Sequence, residues 1–202
     1  MPYYVSNTDL EIPVEWRFEP KFPMSDYRPF LKGEPVTSLE IDRFPKNIVV
    51  SNYTDPKDFP EVIGNGADIG IVNIEVKKYL EENDPGLHSY FPISVHLAGT
   101  EYKLDYFFVY SDNHISSVCY EKTVFQEGVG KDAARKSLFM PKREINGDVE
   151  CYLYKNSVKE CSVWRNPAEE NVFVYFFSDE FVDFLKRKNI RGWACHACKW
   201  ED

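Results

Sequence analysis

The sequence predicts an α+β fold: a mixed, mostly antiparallel sheet with a few short helices, opened by a proline-rich irregular N-terminal segment. Three observations carry this. Tyr102, Leu104, Tyr106 and Phe108 fall at every second position, the period of a strand with one buried face. Two apolar stripes, Val76-Tyr79-Leu80 and Phe181-Phe184-Leu185, fall at i, i+3, i+4, the spacing of one helix face. Nine prolines lie within residues 1–66, where they remove backbone donors and end helices.

Taken in order, residues 1–66 read as turns and short edge strands, with one better strand at 47–51 carried by Ile48, Val49 and Val50. Trp16, Phe18, Phe22, Tyr27, Phe30, Phe44 and Phe59 are spaced through this segment. A disordered segment lacks such anchors, so it should wrap an α+β core at 67–202 within a single domain, 1–202. Residues 68–72 form a short strand, Asn73 caps the helix that follows, and Asn83-Asp84-Pro85-Gly86 ends it. Strands at 89–97 and 101–110 flank an Ala98-Gly99-Thr100 turn as a hairpin.

Residues 114–125 are strand-compatible, and 131–140 helix-compatible up to Pro141. Residues 149–154 alternate and could pair with 158–164 through a turn near Asn156-Ser157. The near-continuous apolar run 172–177 is a buried strand. Ser178 then caps a helix with Asp179 and Glu180 in its first turn and Lys186, Arg187 and Lys188 at its end, both suited to the helix dipole. Asn189 stops it, and 192–200 is a closing strand. Aligning Asn73 with Ser178 superposes both stripes, so the chain contains two strand–cap–helix–strand units. That architecture needs no common ancestry.

Composition narrows function. With 24 basic and 33 acidic residues the net charge is −9. Nucleic-acid affinity comes from Lys and Arg neutralising phosphates, so a nucleic-acid partner is disfavoured, and an acidic surface steers basic partners. No apolar run approaches the ~20 residues of a membrane span. The N-terminus lacks a basic-then-apolar leader, so cytoplasmic residence is expected. Five cysteines, an odd number in a chain of this length, suit reduced thiols better than a disulfide framework.

Catalytic motifs are incomplete. Cys195-His196-Ala197-Cys198 is the sharpest local signal. A redox CxxC needs a helix after it, and zinc needs about four ligands. Here only His88, His96, His114, Cys119, Cys151 and Cys161 are left to complete a set, none in a second paired motif. As a strand, Cys195 and Cys198 would point to opposite faces. They stand as weak metal candidates, with ordinary packing the default. Gly64-Asn65-Gly66 and Gly128-Val129-Gly130 stop short of any phosphate-binding fingerprint and read as turns. Glu81-Glu82 and Glu169-Glu170 are adjacent, about 100° apart on a helix, so neither forms an acid–base pair. The basic residues Lys131, Arg135, Lys136, Lys142 and Arg143 are diluted by Asp132 and Glu144 and read as a surface segment.

A resemblance adds to this. Residues 68–86, DIGIVNIEVKKYLEENDPG, then Tyr90-Phe91-Pro92-Ile93 and the strand from Tyr102 to Tyr110, resemble the middle of immunity protein family 11, bacterial proteins encoded beside polymorphic toxins. Residues 174–193, VYFFSDEFVDFLKRKNIRGW, resemble that family's ending, and Phe44-Pro45 and Phe59-Pro60 its irregular opening. The Cys195–Cys198 segment departs from the pattern. The resemblance implies a protein that binds and neutralises a cognate toxin in the producer's cytoplasm, with no cofactor and no catalytic residues. Glu81, Glu82 and Asp84 are the expected partner-binding positions. The competing expectation is a small-ligand- or metal-dependent enzyme whose site is dispersed in sequence.

Overall fold

The computed structural model describes residues 1–6, 14–19, 44–63, 70–111, 113–124, 149–158, 160–166 and 174–202. In chain order the elements are β1 (Tyr3–Ser6), β2 (Trp16–Phe18), β3 (Asn47–Val50), β4 (Val62–Ile63), β5 (Gly70–Val72), α1 (Ile74–Asn83), β6 (His88–Leu97) and β7 (Lys103–Ser111). Then follow β8 (Tyr152–Tyr154), β9 (Val163–Asn166), β10 (Val174–Phe177), α2 (Asp179–Arg187), β11 (Ala194–Ala197) and β12 (Lys199–Glu201). The α+β class is as expected: among the described residues seven strand pairs are antiparallel, and β3–β6 and β8–β12 are parallel.

The chain forms two compact units. Asn7–Asp112 with Asn189–Trp193 make a six-stranded unit; Met1–Ser6, Asn113–Lys188 and Ala194–Asp202 make the other. In the six-stranded unit the order is β2-β3-β6-β7-β5-β4. Strand alternation sends Ile48, Val50, Phe91, Ile93, Val95, Leu97, Tyr106, Phe108 and Tyr110 to one face, where they form a core. Phe44 sits on it between Phe91 and Phe108, with ring centroids 5.1 and 4.8 Å away. Of the aromatic anchors named in the N-terminal segment, Phe44 and Phe59 are core side chains and Trp16 and Phe18 pack at the margin, as does Tyr53. α1 lies against β6 and β7 and buries Val76 and Leu80 completely.

A strap closes this unit. Arg191 donates Nη2 to Phe59 O at 2.9 Å and its backbone N–H to Glu61 Oε2 at 3.0 Å, and its carbonyl accepts from Val62 N–H. Gly192 follows with φ +122°, and a Cβ there would lie 2.1 Å from Val62 O. Only glycine tolerates both that conformation and that approach.

In the other unit the order is β11-β1-β10-β9, with β12-β8 as a separate parallel pair. The sheet stacks Trp164 on Phe176, registered neighbours 5.7 Å apart. α2 buries Phe181, Val182, Phe184 and Leu185, and Ser178 Oγ accepts from Phe181 N–H at 3.2 Å as its cap.

The two strand–helix–strand units share a topology. In each, the strands flanking the helix are parallel and one antiparallel strand lies between them: β7 between β5 and β6, β1 between β10 and β11. Both are split β-α-β units.

Three elements differ from the sequence reading. Of the predicted strand 114–125, the described residues 114–124 form no extended strand but two isolated bridges, His114 to Arg165 and Val118 to Leu153. Asn166 Oδ1 accepts from the N–H groups of Ser117 and Val118, which turns the chain from one sheet to the next. Among the described residues the 158–164 segment does not pair with β8. A 3-10 turn at Lys155–Ser157 follows β8, and β9 joins β10 because all four of its residues are buried and need partners on a covered sheet. The closing strand 192–200 is divided at Cys198. Its N–H bonds Pro2 O at 2.8 Å, and that of Lys199 bonds Cys151 O at 2.9 Å, so neighbouring amides serve different sheets.

Candidate partner-binding surface

α1 forms because Asn73 Oδ1 accepts from Val76 N–H at 3.1 Å, Glu75 lies in the first turn, and the apolar stripe is limited to one side. The other side carries Glu75, Lys78, Glu81 and Glu82, all four exposed. Lys77, whose Nζ lies 5.1 Å from both the Tyr90 and Phe107 ring centroids, also pairs with Glu81 at i+4. The lysine is thus held down on the sheet, and the outward charge of the helix is mainly acidic.

The three positions expected to meet a partner separate. Glu81 and Glu82 are exposed on α1. Asp84 is the C-cap residue and is buried, with Oδ2 2.9 Å from His88 Nε2. The reason is local. The chain reverses through Leu87 N–H to Asp84 O and through Gly86 at φ +77°, which brings the start of β6 back beneath the helix end. Asp84 therefore fixes the α1–β6 corner, and Glu81 and Glu82 form the rim above it.

Under that rim lie polar atoms that sequence reasoning missed. His88 Nδ1 and Tyr90 Oη are buried and have no hydrogen-bond partner among the described residues. Burial raises the Tyr90 phenol well above its ordinary value, and the Glu81 and Asp84 carboxylates add to the shift. The usable signal was register: His88 and Tyr90 alternate with Phe91 and Ile93 and so face the helix side of the sheet, opposite the aromatic core.

Acidity is unevenly shared. The six-stranded unit carries 19 acidic against 11 basic residues and the other unit 14 against 13, together the 33 and 24 of the whole chain. Nearly all of the net charge of −9 therefore belongs to the unit that carries α1.

Cys195 and Cys198 are not brought together as ligands. Cys195 is registered with Val5 in β11, and Cys198 continues that extended strand toward Pro2. Three extended residues span about 10 Å. Among the described residues no group of three or more His, Cys, Asp or Glu side chains is placed to hold a metal ion. The basic residues of 131–143, and the glycines at 64, 66, 128 and 130, lie outside the described residues. No helix among the described residues is long and apolar enough to cross a membrane.

What the fold presents is an α+β protein in which Asp84 anchors the α1–β6 corner and Glu81 and Glu82 form an exposed acidic rim. The model of the immunity protein family Imm11 matches residues 3–199, and the chain belongs to that family. No curated protein matches it.

Proposed function

We propose that this protein binds a cognate toxin made by the same cell and neutralises it in the cytoplasm, with no chemistry of its own. Membership of an immunity family across residues 3–199 carries the reading. Blocking a toxin needs a complementary surface and no catalytic group. The acidic rim of α1, with Glu81 and Glu82 outward and Asp84 holding the corner beneath, suits a toxin domain with a basic surface. Charge of this kind speeds encounter and selects the partner more than it adds to final affinity. The negative charge of the six-stranded unit acts in the same direction and away from nucleic acid.

The test is co-purification of the tagged protein with the product of the adjacent gene at low and high salt, with a growth assay of that product's toxicity. A tight complex that abolishes toxicity is expected, with faster association at low salt. A neighbour that binds without loss of toxicity, or no complex at either salt concentration, overturns the reading.

A further inference from the structure

Cys195 and Cys198 form a CxxC pair in sequence, but the fold gives Cys198 a different neighbour. β12 runs parallel to β8, with Lys199 registered on Tyr152 and Lys199 N–H donating to Cys151 O at 2.9 Å. One step back along both chains stand Cys198 and Cys151. Lys199 and Tyr152 face outward together, the lysine Nζ 5.3 Å from the ring centroid. Strand alternation therefore turns Cys198 and Cys151 inward together. Both are buried in one cluster with Val149, Leu153, Trp164 and Phe176. Neighbouring strands lie about 4.8 Å apart, inside the roughly 4.4–6.8 Å between Cα atoms that a disulfide requires. Cys195, about 10 Å along an extended chain from Cys198, falls outside that range.

We propose that Cys151 and Cys198 are a dithiol–disulfide pair that staples β12 to β8 under oxidising conditions. All five cysteines are reduced thiols in the structure. In the reaction the thiolate of one attacks a small disulfide such as oxidised glutathione and expels one glutathione thiolate. The second thiol then displaces the other glutathione to close the Sγ–Sγ bond. Two protons and two electrons leave the protein, and the oxidant departs as two thiols. Access does not require global unfolding. β12 is a three-residue strand at the margin of its sheet, and its opening exposes both sulfurs.

The experiment treats the full chain and its Cys195→Ser variant with oxidised glutathione, alkylates remaining thiols and maps unreduced tryptic peptides. The expected product joins peptides 144–155 and 192–199, two hydrogens lighter than their sum, in both proteins. It disappears in Cys151→Ser and on reduction. The oxidised Cys195→Ser variant should also melt several degrees above its reduced form, about the shift that closing a loop of this size gives. A two-hydrogen loss mapped to Cys195–Cys198 or Cys161–Cys198 overturns the proposal. So does a product carrying only glutathione adducts.

Discussion

Asp84 Oδ2 and His88 Nε2 meet at 2.9 Å with both side chains withdrawn from solvent, locking the end of α1 to the start of β6. Removing the carboxylate leaves a buried ring nitrogen with no acceptor. Asp84→Ala should lower stability by about 1–3 kcal/mol. Glu82→Ala, on the exposed rim, should change it by no more than about 0.5 kcal/mol. Urea denaturation of both variants reads the difference, and equal midpoints would show that the corner contributes nothing.

Reversing the rim charge tests recognition separately from folding. The double variant Glu81→Lys, Glu82→Lys should keep a near-native urea midpoint, because the ion pair it breaks, Lys77 with Glu81, lies at the surface and contributes little. Its association rate with a basic toxin should fall about tenfold or more at low salt and converge on wild type as salt is raised. Stopped-flow association at two salt concentrations measures this. Identical rates for wild type and variant would remove the rim of α1 from the interface.

The two helices of the described residues and their caps were legible because capping is local chemistry: an Asn or Ser followed by an apolar stripe needs only the next turn to act. The β6–β7 hairpin was legible for the same reason. Asp84 was not. Its type and its place after two glutamates read as surface, and only the return of the chain through Gly86 sets it against His88. Nor could sequence divide 192–200, because the break depends on Pro2 and Cys151, distant in the chain, claiming successive amides. Arg165 is the extreme case. It is fully buried with its guanidinium 5.0 Å from the Tyr175 ring centroid, in a strand whose pattern says nothing of such a partner.

Two glycines with positive φ should respond differently to alanine. At Gly192 the added Cβ meets Val62 O at 2.1 Å, and main chain cannot swing aside as a side chain can. Gly192→Ala should cost more than about 2 kcal/mol, combining backbone strain with overpacking. At Gly86 a Cβ meets nothing within 4 Å, so Gly86→Ala costs only the left-handed conformation, about 1 kcal/mol. Thermal melts of the two variants rank them, and a Gly86→Ala loss equal to that of Gly192→Ala would contradict the close approach.

Two phenols raised by burial make opposite predictions on losing their oxygen. Tyr106 Oη donates to Pro60 O at 2.8 Å, so Tyr106→Phe leaves a carbonyl unsatisfied and should cost about 1 kcal/mol. Tyr90 Oη is buried with no partner among the described residues, so Tyr90→Phe should be neutral or stabilising by up to about 1 kcal/mol. Desolvation is the largest cause of both shifts, with Glu61 adding at Tyr106 and Glu81 at Tyr90. Each phenol holds its proton more tightly folded than unfolded. Their stabilising contribution is therefore complete below the ordinary phenol value of 10.0 and is lost as pH rises above it. Urea midpoints measured from pH 8 to 11 should fall in the upper part of that range for wild type and less steeply for either Phe variant. A pH profile of Tyr90→Phe that matches wild type would mean that folding leaves the phenol unshifted, and a loss of stability in that variant at pH 8 would mean that its hydroxyl is satisfied by a partner.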